Sequence, residues 1–174
     1  RIKNNLTFPA KFTLVAAMNP CPCGYYNDEE KECRCTANEA SRYNKKISGP
    51  LLDRIDLQIL VPRVKIESLR KTDQSVSESA IFKKQVLDAR KVQRERLGDH
   101  RTNSEMSSKE CDGLIKMDDS ARNFIDTILA KSLISARGYY RILKTAQTIA
   151  DLESSPIVKQ SHLSEAFGYR LKEN

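Results

Sequence analysis

The chain has 174 residues, 39% hydrophobic and 30% charged, enough for one ordinary domain or two small ones with a real core. No apolar run approaches the roughly 20 residues of a membrane-spanning helix, and no secretory h-region opens the chain. The net charge of +7 suits an anionic partner such as nucleic acid or nucleotide phosphate, and equally a solvated basic surface.

The chain begins Arg1-Ile2-Lys3 without an initiator Met, which reads as a cut inside a longer protein. Phe12 to Met18 (FTLVAAM) is a short continuous apolar run, as in a strand buried on both faces of a parallel sheet. It runs directly into Asn19-Pro20. Ligands of open α/β sheets bind at the carboxyl ends of strands, so Asn19 is a candidate for chemistry; the competing reading is an ordinary Asn-Pro turn.

Cys21, Cys23, Cys33 and Cys35 follow, two C-x-C pairs separated by nine residues and holding four of the five cysteines. Four clustered thiolates can complete a tetrahedral zinc shell, although C-x-C is tighter than the usual C-x2–4-C spacing. A disulfide pair and free thiols are the other readings. A closed four-sulfur site has no open position for water, so such a metal is structural. Crowding of thiols into one loop, without an export signal, favours a reducing cytoplasm over a secreted scaffold. Cys111 stands apart as a core or surface thiol.

Thr36 with Glu39 has the form of a capping box for a helix over 36–46, which Gly49-Pro50 breaks. Leu51 to Asp56 (LLDRID) reads as a short helical turn, and Leu57, Ile59 and Val61 alternate as a second strand. Arg54, flanked by Asp53 and Asp56, is either part of a local ion pair or a guanidinium reaching a phosphate held elsewhere. Residues 63–74 read as a linker. Ser75 and Glu78 suit a capping box for a long helix ended by Gly98. Phe82, Val86 and Ala89 share one face of it, and Lys83, Lys84, Arg90, Lys91 and Arg94 cover the rest as a solvated connector or a DNA contact.

Residues 98–108 read as a polar connection. Asp118 or Asp119, Ser135 and Ser161 then open three further helices with ordinary core stripes, such as Ile125 and Ile128, Ile142 and Ala146, and Leu163 and Ala166. Arg137 and Arg141 lie one turn apart at the start of the middle one. Two cations at a helix N-terminus oppose its dipole, which calls for a compensating anion or a nearby carboxylate.

Three motifs in this order, FPAKFTLVAAMNPCPCGYYNDEEKECRCT, SGPLLDRIDLQILVP and SARGYYRILKTAQTIADLE…HLSEAFGYR, resemble the magnesium-chelatase-like AAA+ ATPases of the ComM/YifB type. The resemblance covers nearly the whole chain and matches the carboxyl-terminal part of such a protein. It implies a truncated α/β P-loop ATPase core over residues 1–72, carrying the four-cysteine insertion, followed by an all-α helical lid over 73–174, mostly helical overall.

The resemblance further implies that Asn19 is the sensor-1 residue, Arg54 an arginine finger supplied in trans, and Arg137 the sensor-2 residue, with Arg141 as its substitute. Lys3, in a hairpin facing the ring's pore, is the implied nucleic-acid contact. The full-length protein is then expected to be a cytoplasmic, hexameric motor using ATP and Mg²⁺ on branched or single-stranded DNA during transformation, with Zn²⁺ structural.

The alternatives are a chelatase-type subunit driving metal insertion into a porphyrin, and a non-enzymatic zinc-stabilised DNA-binding module. The cysteine loop favours the first reading over the chelatase. There is no G-x4-G-K-[ST] and no apolar run ending in Asp-Glu; Asp28-Glu29 lies in the cysteine loop. This chain alone is therefore expected not to hydrolyse ATP.

Overall fold

The computed structural model describes residues 7–8, 10–64, 78–131 and 134–170. They hold seven α-helices, one 3-10 turn and no strand, and no helix among them is long and apolar enough to cross a membrane. The chain divides into two compact units, Arg1–Ser48 and Gly49–Asn174.

In the first unit, α1 (Ala37–Asn44) starts where expected. The Thr36 hydroxyl accepts from the Glu39 N–H at 3.3 Å, and the Glu39 carboxylate accepts from the Thr36 N–H at 2.8 Å, so two of the helix's orphan donors are satisfied reciprocally. The Thr36 N–H, and after it the Thr36 hydroxyl donating to the same carboxylate at 3.0 Å, hold the Glu39 carboxyl below its ordinary range.

The second unit begins with the single turn α2 (Gly49–Leu52). The long helix α3 (Glu78–Leu97) follows and ends at Gly98, whose N–H donates to the Arg94 carbonyl and whose φ of +84° is the left-handed geometry of a glycine cap. The expected cap Ser75 and the candidate Lys3 lie outside the described residues. Only the second half of α3 is packed: Ala89 and Gln93 are buried, whereas Phe82 and Val86, expected on the same core face, are exposed.

Residues 98–108 are more than a polar connection. They carry a 3-10 turn (Asn103–Glu105) and the buried side chains of Asn103 and Met106. They lead into a helix not anticipated from the sequence, α4 (Ser108–Leu114). Its signal was present: Ser107 and Glu110 form a capping box, with the Ser107 N–H donating to Glu110 at 2.8 Å.

Three helices complete the unit: α5 (Asp119–Ala130), capped by Asp118; α6 (Ala136–Leu152), capped by Ser135; and α7 (Gln160–Gly168). The last has its N-cap at Lys159 rather than Ser161, because His162 does the capping. Its Nδ1 accepts from the Lys159 N–H at 3.0 Å, which leaves the ring proton on Nε2, 2.9 Å from Glu153. Ile125, Ile128, Ile142, Leu143, Ala146, Val158 and Leu163 close the core, with Cys111 among them. Met117 and Val158 form an isolated parallel bridge that ties the entries of α5 and α7.

A polar cluster sits within this packing. The Asp151 side chain is fully buried on α6 and pairs with Arg96 of α3 at 2.5 Å. Its carboxylate also accepts from Asn103 at 2.8 Å and Gln147 at 2.9 Å. Asn103 in turn accepts from Arg96 and donates to Thr148, each at 3.0 Å. Every member of the cluster thus has partners, as a buried polar network requires.

The two segments expected as strands form no strand among the described residues. Phe12, Leu14 and Val15 in the first, and Ile59, Leu60 and Val61 in the second, are exposed. A strand buried on both faces needs flanking strands for its ladder and covering layers for its side chains, and the described residues place none beside either segment. The all-helical second half stands as expected; the α/β layer does not form among these residues.

Candidate functional site

The cysteine centre is built by two consecutive turns. The Gly24 N–H donates to the Cys21 carbonyl at 3.0 Å, with Gly24 at φ +83°, where other residues are strained. The Asp28 N–H then donates to Tyr25, and the Asp28 carboxylate accepts from the N–H groups of Glu30 and Lys31, both at 2.9 Å. Lys31 lies over the Tyr25 ring at 5.1 Å. This folding returns Cys33 and Cys35 to the first pair.

The four sulfurs lie within 4.8 Å of one another, Cys21 buried and the others half-buried. Separations are 3.4 Å for Cys21–Cys23, 3.5 Å for Cys23–Cys33 and 3.7 Å for Cys21–Cys33. Four sulfurs at about 2.3 Å from a tetrahedral zinc stand about 3.8 Å apart, so the donor set fits such an ion. All four are free thiols, and none of these separations approaches the roughly 2.05 Å of a disulfide.

Their protonation reflects the crowding. A hydrogen bond from the Tyr25 backbone, against the effect of burial, lowers Cys23 to about 6. Cys35 is lowered by the Cys23 backbone, but burial and the thiols of Cys23 and Cys21 outweigh that and push it up to about 12. Four thiolates cannot share this space without a cation.

Asn19 is exposed immediately before the centre. A Cβ placed on Gly24 would stand 3.8 Å from its Nδ2, so the tight turn between the cysteines lies close to the Asn19 amide. The sequence suggests adjacency in the chain; the structure adds closeness in space.

In the second unit Arg54 is exposed, and its Nη1 donates to the Pro50 carbonyl at 2.8 Å. The acids on either side of it do not neutralise it. Asp53 pairs with Arg170 at 2.5 Å and Asp56 with Arg141 at 3.2 Å, while Arg141 also donates to the Asp53 carbonyl at 2.8 Å. The anticipated compensating carboxylate thus exists, and it serves Arg141. Arg137, one turn earlier on α6, is exposed and makes no ion pair among the described residues. Asp53, Asp56 and Arg170 had no role in the sequence reading beyond flanking Arg54 or closing the last motif.

Cys111 is inert by comparison. It is buried in the helical core, and burial pushes its thiol up.

Two family models match the chain: magnesium chelatase, subunit ChlI, over residues 1–69, and the C-terminal part of the same subunit over residues 76–170. The chain belongs to this magnesium-chelatase-like family. It is 41% identical over 170 residues to competence protein ComM of Haemophilus influenzae and 37% identical over 170 residues to YifB of Escherichia coli K12, covering 98% of this chain in each case. A 33% identical relative, Rv2897c of Mycobacterium tuberculosis, aligns over 166 residues. The chain spans about a third of the length of these curated relatives, 33%, 33% and 32% respectively. The family match places both the cysteine centre and the Arg54 turn inside the first matched segment, and Arg137, Arg141 and Arg170 inside the second.

Proposed function

We propose that this chain is the carboxyl-terminal part of an ATP-dependent AAA+ ring motor acting on DNA. In this reading residues 1–72 complete the α/β ATPase core, 73–174 form its lid, and the whole protein assembles as a hexamer with ATP and Mg²⁺ between subunits. Arg54 is the finger directed at a neighbour's ATP, Arg137 the lid cation for the γ-phosphate, and Asn19 the polar group that orients the attacking water. Lys3 is the DNA contact.

The observation that carries the reading is the state of the two arginines. Arg54 and Arg137 are both exposed on supported turns, without an ion pair among the described residues, although Arg54 has an acid one residue before it and another two residues after. An arginine left without a carboxylate beside two of them suits an anion that arrives from outside. Phosphoryl transfer is positioning plus neutralisation of charge on the transferring group, which is what such cations supply. The likeness to a competence protein supports DNA as the substrate rather than a porphyrin.

In the same reading Cys21, Cys23, Cys33 and Cys35 hold one structural Zn²⁺. When bound, the ion neutralises the thiolates and locks the two turns. Because Gly24 lies close to Asn19, those turns also limit the approach of the Asn19 amide.

The test is ATP hydrolysis by the full-length protein with and without branched DNA. Stimulation by DNA, and a loss of roughly 10³-fold or more in kcat for Arg54→Ala, are expected. Turnover indifferent to DNA and to Arg54 would refute the motor reading.

A further inference from the structure

The turn that presents Arg54 is fastened at several points to the helices that present Arg137. The Asp53 carboxylate accepts from Arg170 Nη2, just after α7, and the Asp53 carbonyl accepts from Arg141 Nη1 on α6 at 2.8 Å. Asp56 takes the same Arg141 nitrogen at 3.2 Å. The Gln58 N–H donates to the Tyr169 carbonyl at 2.8 Å, while the Gln58 side chain donates back to Leu52 at 3.2 Å and closes the loop on itself. Arg170 lies against the first turn of α6: a Cβ on Gly138 would stand 3.7 Å from its Cζ. The residue before Arg54, Asp53, is thus tied to Arg170, whose guanidinium stands close to Gly138, the residue after Arg137.

We infer that Arg141 and Arg170 are positioning residues that latch the Arg54 turn to α6 and α7, so that Arg54 and Arg137 move as one element. This rests on the assignment of those two arginines given above. Arg54 would face a neighbour's nucleotide and Arg137 the subunit's own. A latch between them transmits any shift of the lid, imposed by one nucleotide, to the finger acting on the next. Each tie is short, and two charged side chains that would otherwise compete for the incoming phosphate are occupied by Asp53 and Asp56. Neither arginine touches the nucleotide in this scheme.

The test uses the full-length protein with Arg170→Gln, the milder Asp56→Asn, and the charge reversal Asp53→Arg with Arg170→Asp. Hydrogen exchange is followed at peptides covering 49–58, where the Gln58 amide reports the latch, together with ATPase kinetics. Arg170→Gln should speed exchange at Gln58 about tenfold, as expected for an opened local contact. It should also lower kcat by ~10–100-fold, the effect of misplacing a catalytic group by about 1 Å, with KM for ATP little changed. Asp56→Asn should do the same to a smaller extent, and the reversed pair should recover both quantities relative to either single change.

Unchanged exchange at 49–58 in Arg170→Gln and Asp56→Asn would overturn the latch. Faster exchange with unaltered kcat would overturn its catalytic role. If instead Arg54→Ala leaves kcat unchanged, the finger assignment fails and the coupling with it, while the exchange data still decide whether the latch exists.

Discussion

Replacing Asp151 by Ala tests how the helical unit is held together. The Asp151 carboxylate is fully buried and receives Arg96, Asn103 and Gln147. Truncation leaves a guanidinium only 17% exposed with no counter-ion, and strips Gln147, 3% exposed, and Asn103, 1% exposed, of an acceptor. Removing one partner of a buried ion pair costs about 3–5 kcal/mol, chiefly through the charge left behind. Against a domain stability of about 5–15 kcal/mol that is a large fraction, equivalent to a drop on the order of 10–20 °C in Tm. The assay is urea unfolding of the purified chain followed by circular dichroism, with the m-value checked for two-state behaviour. Arg96→Met combined with Asp151→Leu should recover much of the loss, because an apolar pair carries no stranded charge. A loss below about 1 kcal/mol for Asp151→Ala, the range of exposed ion pairs, would refute the view that this cluster is what binds α3 to α6.

The purified, reduced protein should hold about one zinc per chain by elemental analysis; Cys23→Ser should lose it and Cys111→Ser should keep it. Since the ion displaces thiol protons, zinc affinity should fall steadily as pH is lowered, measured by competition with a chelator. Glu110 supplies a separate acid-sensitive element: hydrogen bonds from Arg101 and from Ser107 lower its carboxyl from 4.5 to about 2. A depressed carboxylate stabilises the fold fully above its unfolded value and progressively less as pH falls through its folded one, so the stability gap between wild type and Glu110→Gln should close between pH 4.5 and about 2; a gap independent of pH in denaturant titrations would contradict this. Gly24→Ala places a Cβ at φ +83° and should lower thermal stability of the cysteine loop and its metal retention together.

What was legible in the sequence is what is decided within a few residues. The caps of α1, α5 and α6 at Thr36, Asp118 and Ser135 depend on hydrogen bonds spanning three positions, and each forms as expected. Gly98 stops α3 for an equally local reason. The helix α4 had the same kind of signal in Ser107 and Glu110, hidden inside a stretch whose polarity suggested a connection. The helix α7 starts ahead of the expected Ser161 because a histidine ring supplies the capping acceptor. The strands are a different matter. The apolar runs at 12–18 and 57–61 specify burial, but the ladder that makes a strand comes from elsewhere in a fold, and pattern alone cannot supply it.

The functional residues divide along the same line. Two C-x-C pairs bring four sulfurs together through turns that the local sequence encodes, so the cysteine centre could be read directly. The closeness of Gly24 to the Asn19 amide, which brings that centre up to Asn19, needed coordinates. The Arg54 region shows the limit most clearly. Asp53 and Asp56 flank Arg54, and the local expectation is that they pair with it. Instead their partners are on α6 and just after α7, with the Asp53–Arg141 and Asp53–Arg170 bonds spanning 88 and 117 residues. An acid beside an arginine on one turn shares its backbone and often cannot bend back to it, whereas a long side chain from a packed helix reaches it without strain. The distant arginines therefore take the acids, and the near one makes no ion pair among the described residues. The sequence names the charged residues of this site; only the packing of α6 and α7 determines which of those charges remains available.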